Sequence, residues 1–492
     1  MSFSRGPQQA VATRQSPGAQ TSAPRRVVFV ATDYPPLAGT NTQRIQSLVR
    51  HLPDSGWEPW VVTRAIDDLP LIDPTELDRP EVRERVLRVA DPDPFAWLAR
   101  RHGRGAAELT PADQAKPEQS GPAAMPRSTL RSLARLPLSW GSTALKIALR
   151  YGAYHPDALR LWAGRAAREV IDRRRELAPA VIVTSHPAYS AHMAGLAIKR
   201  QTGLPWVADF RDLWVDRPYR QQASRFHAAI DRRCEAAVVS QCDFIVLASP
   251  AWPDRLAQRY GDGIRRKLCV ITNGFEAAPA SVDATSLWPA TARLRLAWTG
   301  AMFDSESPAD LVEALGRMAA STPETLAGLC VQLAGYGGEH EQRMRERAAA
   351  LGLGGVLRFI GPQPHARARA LQQSADGLLL ALGPGHKETL QGKLFEYLAA
   401  ERPILAMHPA GSEGAAILRR ARAGEVVEYG DVAATEAVLR RWLSQGPPGI
   451  APDRDYIAQF DRAALSRRFA AVLDQAIARR AVDAAAVIGA SA

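Results

Sequence analysis

Short runs rich in Val, Ile and Leu alternate with helix-period patterns almost from end to end of the chain. That alternation restricts the fold to parallel sheets joined by crossover helices. A first series of strand candidates lies at 26–31, 59–63, 180–185, 205–210, 243–249 and 268–272. After a stretch rich in Pro, Ala and Ser (272–290), a second series follows at 294–300, 329–335, 356–361, 377–382, 403–407 and 424–429. Two series of this length predict an α/β protein of two doubly wound domains, because 492 residues exceed what one compact core accommodates.

The expected boundaries follow the same pattern. Residues 1–24 are too rich in Pro, Gly, Ser and Gln to pack, so they form a disordered leader. A first domain spans 25–285, with an insertion at about 65–155, and a second spans 286–450. The helical pattern at 451–480 follows the last strand and is free to return to the first domain; 481–492 is a flexible tail.

The cysteines Cys234, Cys242, Cys269 and Cys330 show neither CxxC pairing nor zinc-ligand spacing, and are expected to be reduced and buried. No apolar run reaches the roughly 20 residues that span a bilayer. A net charge of +11 suits phosphates, anionic lipid or nucleic acid, and its distribution narrows the choice. Between Glu118 and Asp157 there is no acid, while Arg127, Arg131, Arg135, Lys146 and Arg150 alternate with large apolar side chains. This profile fits a basic amphipathic segment at a membrane surface, or a helical insertion packed on its own domain. Nucleic-acid binding or a scaffold role ranks below both, because the bases are not interleaved with stacking aromatics.

In facing doubly wound domains, ligands sit beyond the carboxyl ends of the strands, so chemistry is expected in the loops there. The stretch KETLQGKLFEYLAA follows the strand at 377–382 and opens a helix near Lys393. A helix N-terminus offers free N–H groups and a positive dipole end to an anion. Gly392 permits close backbone approach, Lys393 supplies a point charge, and Glu396 can accept hydrogen bonds from a ribose diol. Glu388, separated from Glu396 by seven intervening residues, lies toward the reacting end of such a ligand. On the first-domain side, Gly39 follows the first strand, His186 ends the strand at 180–185, and Asp209, Arg211 and Asp212 follow or end the strand at 205–210.

The spacing of Glu388 and Glu396, followed by EYLAAERPIL, resembles the retaining, sugar-nucleotide-dependent glycosyltransferases of family 4. So do the segments VFVATDYPPLAGTNTQRIQSLVRHL, TSHPAYSAHMAGLAIKRQTGLPWVADFRDLW and ITNGFE. The resemblance runs from about Arg26 to about Gln475 and skips the insertion. It implies a GT-B fold, two facing Rossmann-like domains around a cleft. It also implies Glu396 at the nucleotide ribose, Glu388 near the transferred sugar, and Gly39 in the loop that approaches donor diphosphate and sugar. The acidic-Arg-Asp motif at Asp209, Arg211 and Asp212 stands where better-known members carry a histidine. Catalytic roles are then expected for Glu388, Arg211, Asp212 and His186. Donor binding is expected at Gly39, Gly392, Lys393, Glu396 and Lys387, with Arg44 and Asp209 toward the acceptor.

One departure concerns charge. After the first strand of the second domain, LAWTGAMFDSESPADL carries acids where many members carry an Arg and a Lys. Phosphate binding is left to Lys393, the helix dipole, and Lys387 or Arg44. No metal or cofactor is expected, and the DPDP at Asp91–Pro94 reads as loop composition. The implied partners are a UDP- or GDP-sugar and a glycan or lipid-linked acceptor. The implied place is the cytoplasm, at the inner membrane face. A degenerate member, or a sugar-nucleotide epimerase or phosphorylase on the same fold, would share the cleft.

Overall fold

The computed structural model describes residues 24–37, 42–69, 80–92, 155–215, 225–277, 287–303 and 305–489. Residues 1–23 of the leader, Gly39, the basic segment from Arg127 to Arg150 and residues 278–286 of the linker lie outside the described residues. The first domain runs β1 (Arg25–Ala31), α1 (Gln43–His51), β2 (Trp57–Arg64), β3 (Val86–Val89), α2 (Arg160–Asp172), β4 (Val181–Ser185), α3 (Tyr189–Thr202), β5 (Trp206–Phe210), α4 (Arg225–Gln241), β6 (Phe244–Leu247), α5 (Trp252–Tyr260) and β7 (Leu268–Val270). The second runs β8 (Leu294–Thr299), α6 (Ala309–Ser321), β9 (Leu329–Ala334), α7 (Gly338–Ala350), β10 (Leu357–Gly361), α8 (His365–Ser374), β11 (Gly377–Ala381), α9 (Gly392–Ala400), β12 (Ile404–His408), α10 (Glu413–Ala421), β13 (Gly424–Glu428) and α11 (Val432–Gln445). Two further helices follow, α12 (Arg454–Ala458) and α13 (Arg462–Gly489).

Both sheets are parallel, in the orders β3-β2-β1-β4-β5-β6-β7 and β10-β9-β8-β11-β12-β13. Strand order reverses between β1 and β4, and again between β8 and β11, which opens a crevice at each carboxyl edge. β4, β5, β11 and β12 are buried along their whole length, as expected of strands covered by helices on both faces. One strand was not foreseen. β3 lies within the expected insertion and pairs with the edge of β2, so the extra chain begins only beyond it. Its four residues, VLRV, stand among Arg and Pro and are mostly half-buried, so neither alternation nor a long apolar run marks them.

α13 returns to the first domain. Leu465, Phe469, Leu473 and Ala476 share one buried cluster with Val27, Phe29, Val183 and Val207, and the rings of Phe29 and Phe469 lie 6.2 Å apart. Burial of Phe469 alone contributes about 1.5–3 kcal/mol. The return is clamped where Phe275 N–H donates to Phe460 O (3.1 Å) and Arg462 N–H to Phe275 O (3.0 Å). Gly274 of ITNGFE is needed there, because a Cβ would stand 2.2 Å from Phe460 O.

Two buried histidines make the fold sensitive to acid. Thr184 Oγ1 accepts from Trp206 Nε1 (2.9 Å) and lies 2.8 Å from His192 Nδ1, where its O–H can donate to the neutral ring. Likewise Ser412 Oγ accepts from Ala415 N–H, leaving its O–H for His408 Nδ1 (3.2 Å). Burial lowers both pKa values to about 4, with Lys393 adding to the shift at His408. The unfolded chain takes up these protons near pH 6.5 and the folded one does not, so stability present above pH 6.5 is lost as pH falls toward 4. Urea unfolding at pH 5 is expected to show a deficit of about 2 kcal/mol per histidine relative to pH 7.5. The His192→Gln variant should lose its share of that slope; an unchanged slope would refute the assignment.

Candidate functional site

The second-domain side is built by the loop after β11 and the start of α9. Gln391 Nε2 donates to Ala381 O (2.9 Å), Gly383 N–H to Ser305 O (2.7 Å) and Glu413 N–H, at the start of α10, to Lys387 O (2.9 Å), so the loop is braced along its length. The Lys387 side chain is exposed. Gly392 is the first residue of α9, and a Cβ there would meet nothing within 4 Å. Leu394 N–H is taken by Gln391 O (3.2 Å), and the space beside Gly392 leaves room for a group to approach the start of the helix.

Lys393 is less available than its sequence suggests. Its Nζ lies 3.2 Å from Glu306 Oε2, donates to Ala301 O at 3.3 Å, and stands 4.0 Å over the Trp298 ring. Burial lowers its pKa, opposed by Glu306 and Glu396. The loop after β8 thus meets Lys393 with an acid, where the family resemblance led one to look for bases. Its neighbour loop is in backbone contact with it: a Cβ on Gly335 would fall 1.9 Å from Gly300 O.

Glu396, one turn into α9, accepts from Gln372 Nε2 (3.1 Å) and lies 3.4 Å from His365 Nε2. Gln372 Nε2 also reaches Thr299 Oγ1 (2.8 Å), which ties the carboxylate to the end of β8. Burial alone would raise its pKa. His365, Gln372 and the Arg462 charge together hold it below the usual carboxylate range, so Glu396 is an anion at neutral pH.

On the first-domain side the expected residues fall into two clusters. His186, Arg211 and Asp212 come together: His186 Nδ1 lies 3.8 Å from Asp212 Oδ2, and Arg211 Nη1 donates to His186 O (3.3 Å). The His186 ring packs 4.5 Å from Tyr189, which stacks on Trp214 at 4.8 Å. Burial, foremost, and the Arg44 charge lower the Arg211 pKa, against Asp209, Asp33 and Asp212.

Arg44 and Asp209, expected toward the acceptor, instead bind each other. Arg44 Nε and Nη2 donate to the two oxygens of Asp209 at 3.0 and 2.8 Å. Nη1 and Nη2 also donate to Thr272 O (2.8 Å) and Ile271 O (2.9 Å), and Ser185 Oγ donates to Asp209 Oδ2 (2.8 Å). Asp209 has no exposed surface. The network ties α1 to the ends of β4 and β5 and to the chain after β7. It shapes the crevice floor and has little left to offer a substrate.

The two sides meet at Glu388. Arg255 on α5 donates from Nε to Glu388 Oε1 (2.7 Å), and Ser249 Oγ donates to Glu388 O (2.6 Å). Sequence reasoning missed Arg255, Ser249, His365, Gln372 and Glu306. Of these only Glu306 had a visible signal, the acids after β8. Among the described residues, no three His, Cys, Asp or Glu side chains gather as a metal site, and no helix is long and apolar enough to cross a membrane.

Comparison with known proteins gives a consistent picture. Residues 136–278 match the family described as Glycosyltransferase Family 4, and residues 293–445 that described as Glycosyl transferases group 1. A D-inositol 3-phosphate glycosyltransferase of Geodermatophilus obscurus is 28% identical over 227 residues, 43% of this chain and 48% of that one. The chain therefore spans about half the length of the curated relative it matches. HepE from Anabaena, solved in complex with UDP, superposes with a TM-score of 0.58 at 15% identity, over 92% of this chain and 100% of that one. The lipopolysaccharide outer core galactosyltransferase WaaB gives 0.54 at 12% identity, over 92% and 99%.

Proposed function

The chain belongs to the family-4-type glycosyltransferases and has their GT-B fold; from that premise we propose that it is a retaining enzyme that moves a sugar from a UDP- or GDP-sugar to a glycan or lipid-linked acceptor in bacterial surface polysaccharide synthesis. The observation that carries the reading is the start of α9. An open helix N-terminus at Gly392, a lysine at 393 and an ionised Glu396 held by Gln372 and His365 stand in one turn, at the carboxyl edge of a parallel sheet. This arrangement suits a nucleoside diphosphate, with phosphate at the dipole and ribose hydroxyls at the carboxylate. HepE, with UDP in its solved structure, supports that choice of ligand, and WaaB the polysaccharide setting.

In the reaction, the bond from the anomeric carbon to the diphosphate oxygen breaks and its electron pair leaves with the diphosphate, while an acceptor hydroxyl oxygen bonds to the same carbon from the same face and its proton passes to the departing diphosphate oxygen. Negative charge develops there, and preorganised donors in a dry cleft stabilise it. The α9 N-terminus and Lys393 are the groups placed to do so. Glu388 faces the positive charge that develops on the sugar, and Arg211 and Asp212 stand on the first-domain side with His186 buried beside them. The Lys393–Glu306 pair favours a second reading, a degenerate member that binds nucleotide without transferring sugar.

Calorimetry of the full chain with UDP and with GDP tests the reading. One nucleotide is expected to bind, and the matching sugar nucleotide should then yield a product that keeps the anomeric configuration, read by NMR. If neither nucleotide binds, the donor site is misassigned; binding without transfer selects the degenerate reading. Peripheral membrane association through Arg127, Arg131 and Arg135 belongs to the same proposal, and vesicle flotation of a triple Glu variant checks it.

A further inference from the structure

Glu388 lies on a second-domain loop, yet its side chain and its carbonyl are both held by the first domain. Arg255 brings Nε to 2.7 Å and Nη2 to 2.6 Å of the same oxygen, Oε1. No contact among the described residues takes Oε2, which leaves one carboxylate oxygen to accept from a ligand. Ser249, fully buried, donates to the Glu388 carbonyl at 2.6 Å and fixes the backbone of that residue.

The helix that presents Arg255 is itself anchored. One turn on, Arg259 Nη1 and Tyr260 OH both donate to Glu235 Oε1 at 2.7 Å. Glu235 has no exposed surface, and its Oε2 accepts from Val215 N–H at 2.9 Å. Val215 closes the segment that carries Arg211 and Asp212, and Trp214 in the same segment donates to buried Asp231 at 3.0 Å. α5 therefore joins the Arg211–Asp212 wall to the Glu388 loop through a path of direct contacts, with a buried acid as its pivot.

We propose that Arg255 is a positioning residue: it draws Glu388 across the domain boundary and aims its second oxygen at the donor sugar, so that Glu388 is correctly placed only when the two domains are engaged. This rests on the donor-site reading above. The sugar end of the donor feels Arg255, and the nucleotide end, held at α9, does not. Rigid-element support of this kind restricts a carboxylate that a loop alone would leave mobile.

The test has two arms in the full chain. Without any ligand, Arg255→Glu and Glu388→Arg are each expected to raise hydrogen exchange of the 384–391 amides about tenfold, and the double charge swap to restore protection. A double variant no better protected than the single ones overturns the contact. With ligand, Arg255→Ala should weaken the sugar nucleotide against wild type, leave free UDP or GDP binding unchanged, and be partly rescued by Arg255→Lys. Equal losses for nucleotide and sugar nucleotide, or none, overturn the positioning role. Failure of wild type to bind either nucleotide refutes the donor-site reading instead, and the first arm still decides the contact.

Discussion

Arg44→Met is expected to destabilise the first domain by about 3–5 kcal/mol, the cost of leaving a buried carboxylate without its partner. The side chains are 8% and 0% exposed, so water cannot replace the lost donors at Asp209. The carbonyls of Ile271 and Thr272 lose their guanidinium donors in the same step. Ser185 alone would then remain on Asp209, a neutral donor where a bidentate cation stood. Chemical unfolding of the full chain, followed by the fluorescence of its buried tryptophans, measures the loss. Arg44→Met combined with Asp209→Leu should recover most of it, because removing both charges also removes the desolvation they incur. A single variant within about 1 kcal/mol of wild type would show that Asp209 is solvated or neutral, and would return both residues to the list of substrate contacts.

The same pair explains where sequence reasoning succeeds and where it stops. Strands such as VIVTS at β4 and GLLLA at β11 are legible because full burial on both faces demands continuous apolar residues. The loop after β11 and the helix start at Gly392 are legible for a related reason, since a break from strand to helix needs local residues that any reader can see. Arg44 and Asp209 are 165 positions apart, and nothing local says that one will neutralise the other. Charged residues near strand ends look alike in sequence whether they face a ligand or each other. Lys393 with Glu306 and Glu388 with Arg255 repeat the case: Lys393 and Glu388 stand out in the sequence, and the partner of each lies on another element. β3 failed for the opposite reason. An edge strand of four half-buried residues has too little apolar surface to leave a pattern.

For Glu396→Ala, the affinity of the nucleotide that binds wild type is expected to fall tenfold to a hundredfold, because a hydrogen bond to a charged acceptor contributes about 1.5–3 kcal/mol. The direction follows from how the carboxylate is held. Burial opposes its ionisation, and His365, Gln372 and Arg462 overcome that opposition, so the group is a preformed anion whose pKa is depressed in the folded chain. Its contribution is therefore present throughout the neutral range and above it, and is lost only as pH falls through a value below the ordinary carboxylate pKa. Calorimetry between pH 5.5 and 8 should find the difference between wild type and variant constant. Glu396→Gln separates shape from charge: it keeps an acceptor for a ribose hydroxyl but no longer attracts the His365 ring, and an intermediate affinity is expected. If the alanine variant binds as wild type does, Glu396 only supports the fold through Gln372 and Thr299, and the ribose must be sought elsewhere on the second-domain edge. If binding is lost in the alanine variant while its unfolding midpoint stays near that of wild type, the carboxylate acts on the ligand, and the turn from Gly392 to Glu396 is the donor site.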